Sequence, residues 1–328
     1  LNDIIKNTFI KPDDVETIYI AIDGVPSKGK MIEQIHRKYS GQLQKEMNNH
    51  ILEKEKSNLV DIKINKKSFN KYIYEKNKFS WIKGNIQPGA KFLFNLDKLL
   101  HNKEFLNKIV LKDFTLDEPY KKIIISGYTE IGEGEIKLLN LIRHYLETNK
   151  ITDKQRIAIW SPDADVILLS FLIPLNKIKE ILLFRFHKQW KTPKKNSRYS
   201  YKYYVISIKK LKDLFFNKLN DLNQQLYKEN IPEKYLQNIL EDMTFIFSIF
   251  GDDFIPHIPS YNTHIHWDII LENYINAINN NNGLTLITDS KNLKINTSIF
   301  VKFLKYIVKY EEQCLSEIFL TDNFGNYG

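Results

Sequence analysis

A chain of 328 residues with 43% hydrophobic content can bury a sizeable core, and one large domain or two smaller ones are both allowed. No apolar run approaches the roughly 20 residues of a membrane-spanning helix, and a single cysteine, Cys314, excludes an internal disulfide framework and suits a reducing compartment. The formal net charge of +9 suits a polyanionic partner, although the abundance of Lys, Asn, Ile, Tyr and Phe can also reflect an AT-rich coding sequence.

Residues Leu1–Phe9 read as a helix stopped by Pro12, and Thr17–Ile22 as a β-branched strand ending on Asp23-Gly24. The helical pattern that follows puts Lys30, Gln34, Arg37 and Lys38 at i, i+4, i+7 and i+8, a single face. Met31, Ile32, Ile35 and Tyr39 take the opposite face, which is expected to pack on a sheet. An ordinary solvated basic face accounts for the same periodicity. Gln42–Lys67 reads as an exposed charged helix and a connection, and Ala90–Leu100 as a scaffold helix.

Ile123–Ile125 form the next buried strand, and a largely buried helix begins near Ile136. Between them lie Glu133 and Glu135, flanked by Gly132 and Gly134, which tolerate unusual dihedrals and close approach of the backbone to a ligand. Acids in a first helical turn also complement the helix dipole, so one glutamate alone would carry little weight. Arg156–Trp160 repeat the pattern: a short strand, then Asp163 and Asp165, then a helix over Val166–Leu172. In parallel α/β sheets ligands lie beyond the carboxyl ends of the strands, so Asp23, Glu133, Glu135, Asp163 and Asp165 are expected to converge.

A strand over Ile181–Phe186 opens into a loop or hairpin, His187–Tyr204, that interleaves cations with aromatic rings, a mixture suited to single-stranded nucleic acid or to a plain surface hairpin. Helices follow over Leu211–Leu226 and Tyr235–Phe250. The Gly251-Asp252-Asp253 turn offers a sixth carboxylate or simply a hydrophilic turn, and His257 reads as structural. Trp267–Phe319 reads as helices around an Asn279–Gly283 turn. Carboxylates without a histidine or cysteine cluster make an oxygen-only site, which selects Mg²⁺ or Mn²⁺ over zinc, and two such ions suit hydrolysis of a phosphodiester.

The stretches Ala21-Ile-Asp-Gly-Val-Pro-Ser-Lys-Gly-Lys-Met31, Gly132-Glu-Gly-Glu135, Asp163-Ala-Asp165 and Phe250-Gly-Asp-Asp-Phe-Ile-Pro-His-Ile-Pro259 resemble, in order, the motifs of the Xrn family of 5′→3′ exoribonucleases. The resemblance runs from about residue 15 to about residue 312. It implies an α/β, PIN-like or flap-endonuclease-like nuclease fold with a mostly parallel central sheet flanked by helices, in a single nuclease domain over residues 1–328. It implies two Mg²⁺ (or Mn²⁺) ions held by Asp23, Glu133, Glu135, Asp163, Asp165 and Asp253, and a 5′-phosphate pocket built from Lys30, Gln34, Arg37 and Lys38. The expected activity is 5′→3′ hydrolysis of 5′-monophosphorylated single-stranded RNA to nucleoside monophosphates, in the cytoplasm or nucleus. A structure-selective 5′ nuclease on DNA flaps and a catalytically weak RNA-binding scaffold are the alternatives.

This chain departs from the family pattern at Ile131, where proline is usual, at Ile136, where histidine is usual, and at Asp252, where asparagine is common. The family's first motif, a strand ending Asp-Met-Asn-Gly, and its second conserved region have no counterpart, so the chain is expected to be a piece of a longer protein.

Overall fold

The computed structural model describes residues 15–58, 86, 88–106, 122–190, 199–251, 258–263, 265–280, 283–289 and 294–324. The helix expected over Leu1–Phe9 and the turn carrying Asp252, Asp253 and His257 lie outside these residues. By compactness the chain divides into two units, Leu1–Lys137 and Leu138–Gly328.

In the first unit, β1 (Thr17–Ala21) and β2 (Lys122–Ser126) pair in parallel, with Thr17 opposite Lys122 and Ala21 opposite Ser126. Their runs of β-branched residues favour extended backbone that is covered on a face. Ile18 pairs with Ile123 and Ile20 with Ile125, so these four share a side of the sheet, and they pack with Ile22 and Leu96 around Leu100 and Leu106. Leu93, Leu96 and Leu100 recur at helical spacing in α2 (Lys91–Leu100), and that periodicity is the signal that placed the helix.

The basic helix exists as α1 (Lys28–Asn58), with the charged stretch after Gln42 continuing it. Its other face does not do what periodicity suggests. Ile35 and Tyr39 are 64% and 65% exposed, and Met31 and Ile32 are exposed as well, so no sheet covers that side among the described residues. Helical spacing tells which residues share a face; it does not supply a neighbour to cover them.

Helix α3 (Gly134–Glu147) carries the chain into the second unit. There β3 (Arg156–Trp160) pairs in parallel with β4 (Glu180–Trp190), with Trp160 opposite Phe184. Strand β5 (Tyr199–Ser207) returns antiparallel along β4. Strand β4 outruns the apolar stretch Ile181–Phe186 because its later residues find partners on β5. Ile159, Ile181 and Leu183 face Leu139, Ile142 and Leu146 of α3, Val166 of α4 (Asp165–Phe171) and Ile208 of α5 (Ile208–Tyr227) in one buried cluster.

A larger cluster joins α5 through Phe215 and Leu219 to α6 (Leu236–Gly251), α7 (Trp267–Ile278) and α8 (Thr297–Val308), and α9 (Glu311–Phe324) adds the buried Cys314. The chain is thus mixed α/β with the expected parallel pairs β1·β2 and β3·β4. Among the described residues, however, those pairs belong to separate sheets, and β5 is antiparallel, so a single mostly parallel sheet is met only in part.

Candidate metal centre

The loops leaving β1 and β2 are fastened to each other. Gly24 N donates to Gly132 O at 2.9 Å, and Gly132 N to Val25 O at 3.0 Å. Gly132 has φ +104°, a backbone region that a side chain would strain, and a Cβ on Gly24 would lie 1.7 Å from the Glu130 carbonyl oxygen. One carboxylate oxygen of Asp23, Oδ1, accepts from Gly134 N at 2.7 Å. A Cβ on Gly134 would press to 3.2 Å from that same oxygen. Gly132 and Gly134 therefore bring two loops together and seat Asp23 at the start of α3, which is a narrower job than approach to a ligand.

The partner of Glu133 is a cation of α1. Its Oε2 lies 3.3 Å from Lys30 Nζ, and both side chains are nearly buried. Lys137, one turn further along α3, reaches across the strand ends: its Nζ donates to Ile22 O at 2.8 Å and to Gly127 O at 2.7 Å. Burial pushes the Lys137 amine below the usual lysine range, and the charges of Glu130, Asp23 and Asp97 oppose that shift. The ammonium thus pins together the residues that follow β1 and β2.

At the end of β3, Asp163 N donates to Ser161 Oγ and Asp165 N to Asp163 Oδ1, each at 3.1 Å, so the acidic loop is folded on itself by short local bonds. Arg185, on β4, donates from Nη2 to Pro162 O at 2.7 Å and fixes the loop to the neighbouring strand. Glu135, Asp163 and Asp165 each offer a carboxylate oxygen, and these oxygens lie within 4.8 Å of one another. Oxygen donors at that spacing suit a hard divalent cation.

Of the six acids expected in the site, the structure gathers Glu135, Asp163 and Asp165, places Asp23 against the residue preceding Glu135, and pairs Glu133 with Lys30. Asp253 lies outside the described residues. Lys30, Gln34, Arg37 and Lys38 share a face of α1. Gln34 is half-buried, Arg37 and Lys38 are exposed, and Arg37 Nε donates to Glu33 Oε1 at 2.7 Å.

Sequence reasoning passed over Lys137 and Arg185. Each is a lone cation within an apolar run, Ile-Lys-Leu-Leu and Phe-Arg-Phe, and that isolation was the available signal.

Residues 1–185 match the family described as the XRN 5′-3′ exonuclease N-terminus. The chain is 30% identical, over 73% of its length, to a protein of Acanthamoeba polyphaga mimivirus that is provisionally named a 5′-3′ exonuclease. It is 25% identical to 5′-3′ exoribonuclease 1 of Saccharomyces cerevisiae over 92% of its length, and 25% identical to the human 5′-3′ exoribonuclease 1 over 95%. It spans 35%, 18% and 16% of these relatives respectively.

Proposed function

This chain belongs to the XRN 5′-3′ exonuclease family, and from that premise we propose that it is the catalytic core of a Mg²⁺-dependent 5′→3′ exoribonuclease that degrades 5′-monophosphorylated RNA to nucleoside monophosphates. The observation that carries the reading is the grouping of Glu135, Asp163 and Asp165, acids far apart in sequence whose oxygens lie close enough to share one cation. Residues 1–328 work as one nuclease domain of PIN-like fold. Its place of action is the cytoplasm or nucleus; among the described residues no helix is long and apolar enough to cross a membrane.

Glu135, Asp163 and Asp165 hold the metal, with Asp23, Glu133 and Asp253 completing a site for two Mg²⁺ or Mn²⁺ ions. Bound there, the ions supply an activated water and charge neutralisation at the departing oxygen of the phosphodiester. The residues around them do the positioning. Asp23 fixes the first turn of α3 through Gly134 N, Arg185 fixes the Asp163 loop through Pro162 O, and Lys30 pairs with Glu133. Lys30, Gln34, Arg37 and Lys38 receive the terminal phosphate of the RNA, Arg37 exchanging Glu33 for phosphate oxygens, to which its planar guanidinium can donate two parallel bonds.

The test is the Asp163→Ala variant of the whole protein, assayed on 5′-monophosphorylated RNA and on a DNA flap. Cleavage of RNA by the unmodified protein in Mg²⁺, lost in EDTA and lost in the variant while cooperative unfolding is retained, is the expected result. Undiminished RNA cleavage in EDTA or in the variant overturns the proposed site. Preference for the DNA flap, or inactivity of the unmodified protein, replaces the reading with one of its alternatives.

A further inference from the structure

The β3–β4–β5 sheet has two unlike sides. Ile159, Ile181 and Leu183 are buried against helices, whereas the alternate residues carry a row of rings. Trp160 stacks on Phe184 (centroids 6.3 Å apart, planes at 19°) and on Phe186 (5.9 Å, 17°), and Tyr203 lies 5.9 Å from Trp160 at a tilt. Phe184 is buried, but Phe186 and Tyr203 are each 38% exposed, and Val205, opposite Phe184 on β5, is exposed too.

The register shows where this row leads. Strand β3 ends at Trp160, opposite Phe184, and its next residues are the loop that carries Asp163 and Asp165. Strand β4 continues past that point to Trp190, paired among the described residues with β5, so a two-stranded ribbon projects beyond the carboxyl end of β3, the end at which those acids lie. Phe186 pairs with Tyr203 at the base of the ribbon, and Arg185 beside them bonds the acidic loop directly.

We infer that the Trp160, Phe186 and Tyr203 rings form a stacking platform for the bases of single-stranded RNA close to the cleavage site, and that the ribbon is part of the path of the substrate. The inference rests on the nuclease reading above for the identity of the strand. The charge pattern favours nucleic acid over a protein surface. From Phe186 to Tyr204 the sequence holds Lys188, Lys191, Lys194, Lys195, Arg198 and Lys202 and neither Asp nor Glu, a composition that matches a phosphodiester backbone. An apolar protein face laid on the rings would leave that excess of cations unanswered. Rings also serve an exonuclease that must accept any sequence, because every base has a face to stack.

The experiment uses the whole protein with Asp163→Ala as background, so that substrate survives, and a 5′-hydroxyl oligouridine, so that no terminal phosphate contributes. Replacing Phe186 and Tyr203 together by Leu keeps apolar bulk but removes the rings. Loss of two stacking partners should weaken binding about tenfold to a hundredfold, while the interchange Phe186→Tyr with Tyr203→Phe retains affinity. A second readout needs no folding of a ring-less variant: saturating oligouridine should quench the emission that disappears on Trp160→Phe.

Unchanged affinity in the double Leu variant, equal weakening by the interchange, or no quenching of Trp160 overturns the platform. A double Leu variant that melts lower yet binds oligouridine normally also overturns it, because the rings would then be covered by protein. None of these outcomes touches the nuclease reading, which fails separately if the Asp163→Ala background itself still cleaves RNA.

Discussion

A single acid of the helical core and a cluster of acids at the strand ends meet unlike surroundings in this protein. Asp242, on α6 in the helical core, is fully buried and surrounded by donors. It accepts from Tyr274 Oη and Ile287 N at 2.9 Å, and from Thr288 N and Thr288 Oγ1 at 2.7 and 2.6 Å. Burial pushes its carboxyl above the usual range and those hydrogen bonds pull it back. At the strand ends, Glu135, Asp163 and Asp165 face one another within 4.8 Å, and the described bonds from Asp163 serve its own loop. The first acid is answered by the fold and ties the segment after α7 to α6. In the second group the fold gathers like charges from two separate segments, with oxygens close enough to share one cation.

The most severe way to break this contrast is to remove Asp242. Truncation to Ala leaves the Ile287 and Thr288 amides and the Tyr274 hydroxyl without their acceptor in the core, so stability should fall by about 3–5 kcal/mol in denaturant unfolding. A loss below about 1 kcal/mol would put Asp242 in the same class as a surface acid.

The converse test adds a cation to the strand-end acids. Mg²⁺ at a hundredfold its dissociation constant should stabilise the protein by about 2.7 kcal/mol, and that increment should vanish in Asp163→Ala, which by itself should not destabilise. Equal stabilisation of both proteins would mean that the ion binds elsewhere.

A smaller effect separates satisfied from exchangeable charge on α1. Arg37→Ala should cost about tenfold to a hundredfold in kcat/KM on 5′-monophosphorylated RNA, the worth of one charge-assisted contact, and should hardly change turnover of 5′-hydroxyl RNA. Equal losses on both ends would tie Arg37 to the fold or to the general RNA path.

The finest test concerns Lys212, a buried cation of the helical core that donates to Ile173 O at 2.7 Å. Burial lowers its amine to about 8, while Glu241 opposes the shift. The unfolded chain then binds this proton more tightly than the native one, so stability should rise as pH increases from about 8 toward the ordinary lysine value. Lys212→Met should flatten that rise in thermal melts taken across the window. A rise of the same slope in the variant would assign it to another group.

What could be read from the sequence follows from which physical rules are local. Strands β1, β2 and β3 were legible because short β-branched runs have few other conformations, and the acids at their ends because a parallel sheet puts its ligands there. That Glu135 would meet Asp163 and Asp165 was legible as convergence. That Glu133 would instead face Lys30 was not, because spacing does not say which of two neighbouring acids turns which way. The exposed side of α1 misled for a related reason: Met31, Ile35 and Tyr39 define a stripe, and only tertiary structure could say what covers it. Lys137 was illegible because its use lies in two carbonyls from different loops.

The doubled bond between Gly24, Val25 and Gly132 has a consequence for how this protein tolerates change in length. Surface connections usually accept an extra residue at little cost, because closing a slightly longer loop loses little entropy. Here the two loops are cut to each other, amide against carbonyl in both directions, with less than an atom's diameter to spare at Gly24. One residue inserted between Asp23 and Val25, or between Glu130 and Gly134, would put every later contact out of step, from the Asp23 bond to the orientation of Glu135. In a scan of single-residue insertions along the chain, these two short loops should behave like core strands, as blank as the middle of β2, although they lie among the turns where insertions are ordinarily best borne.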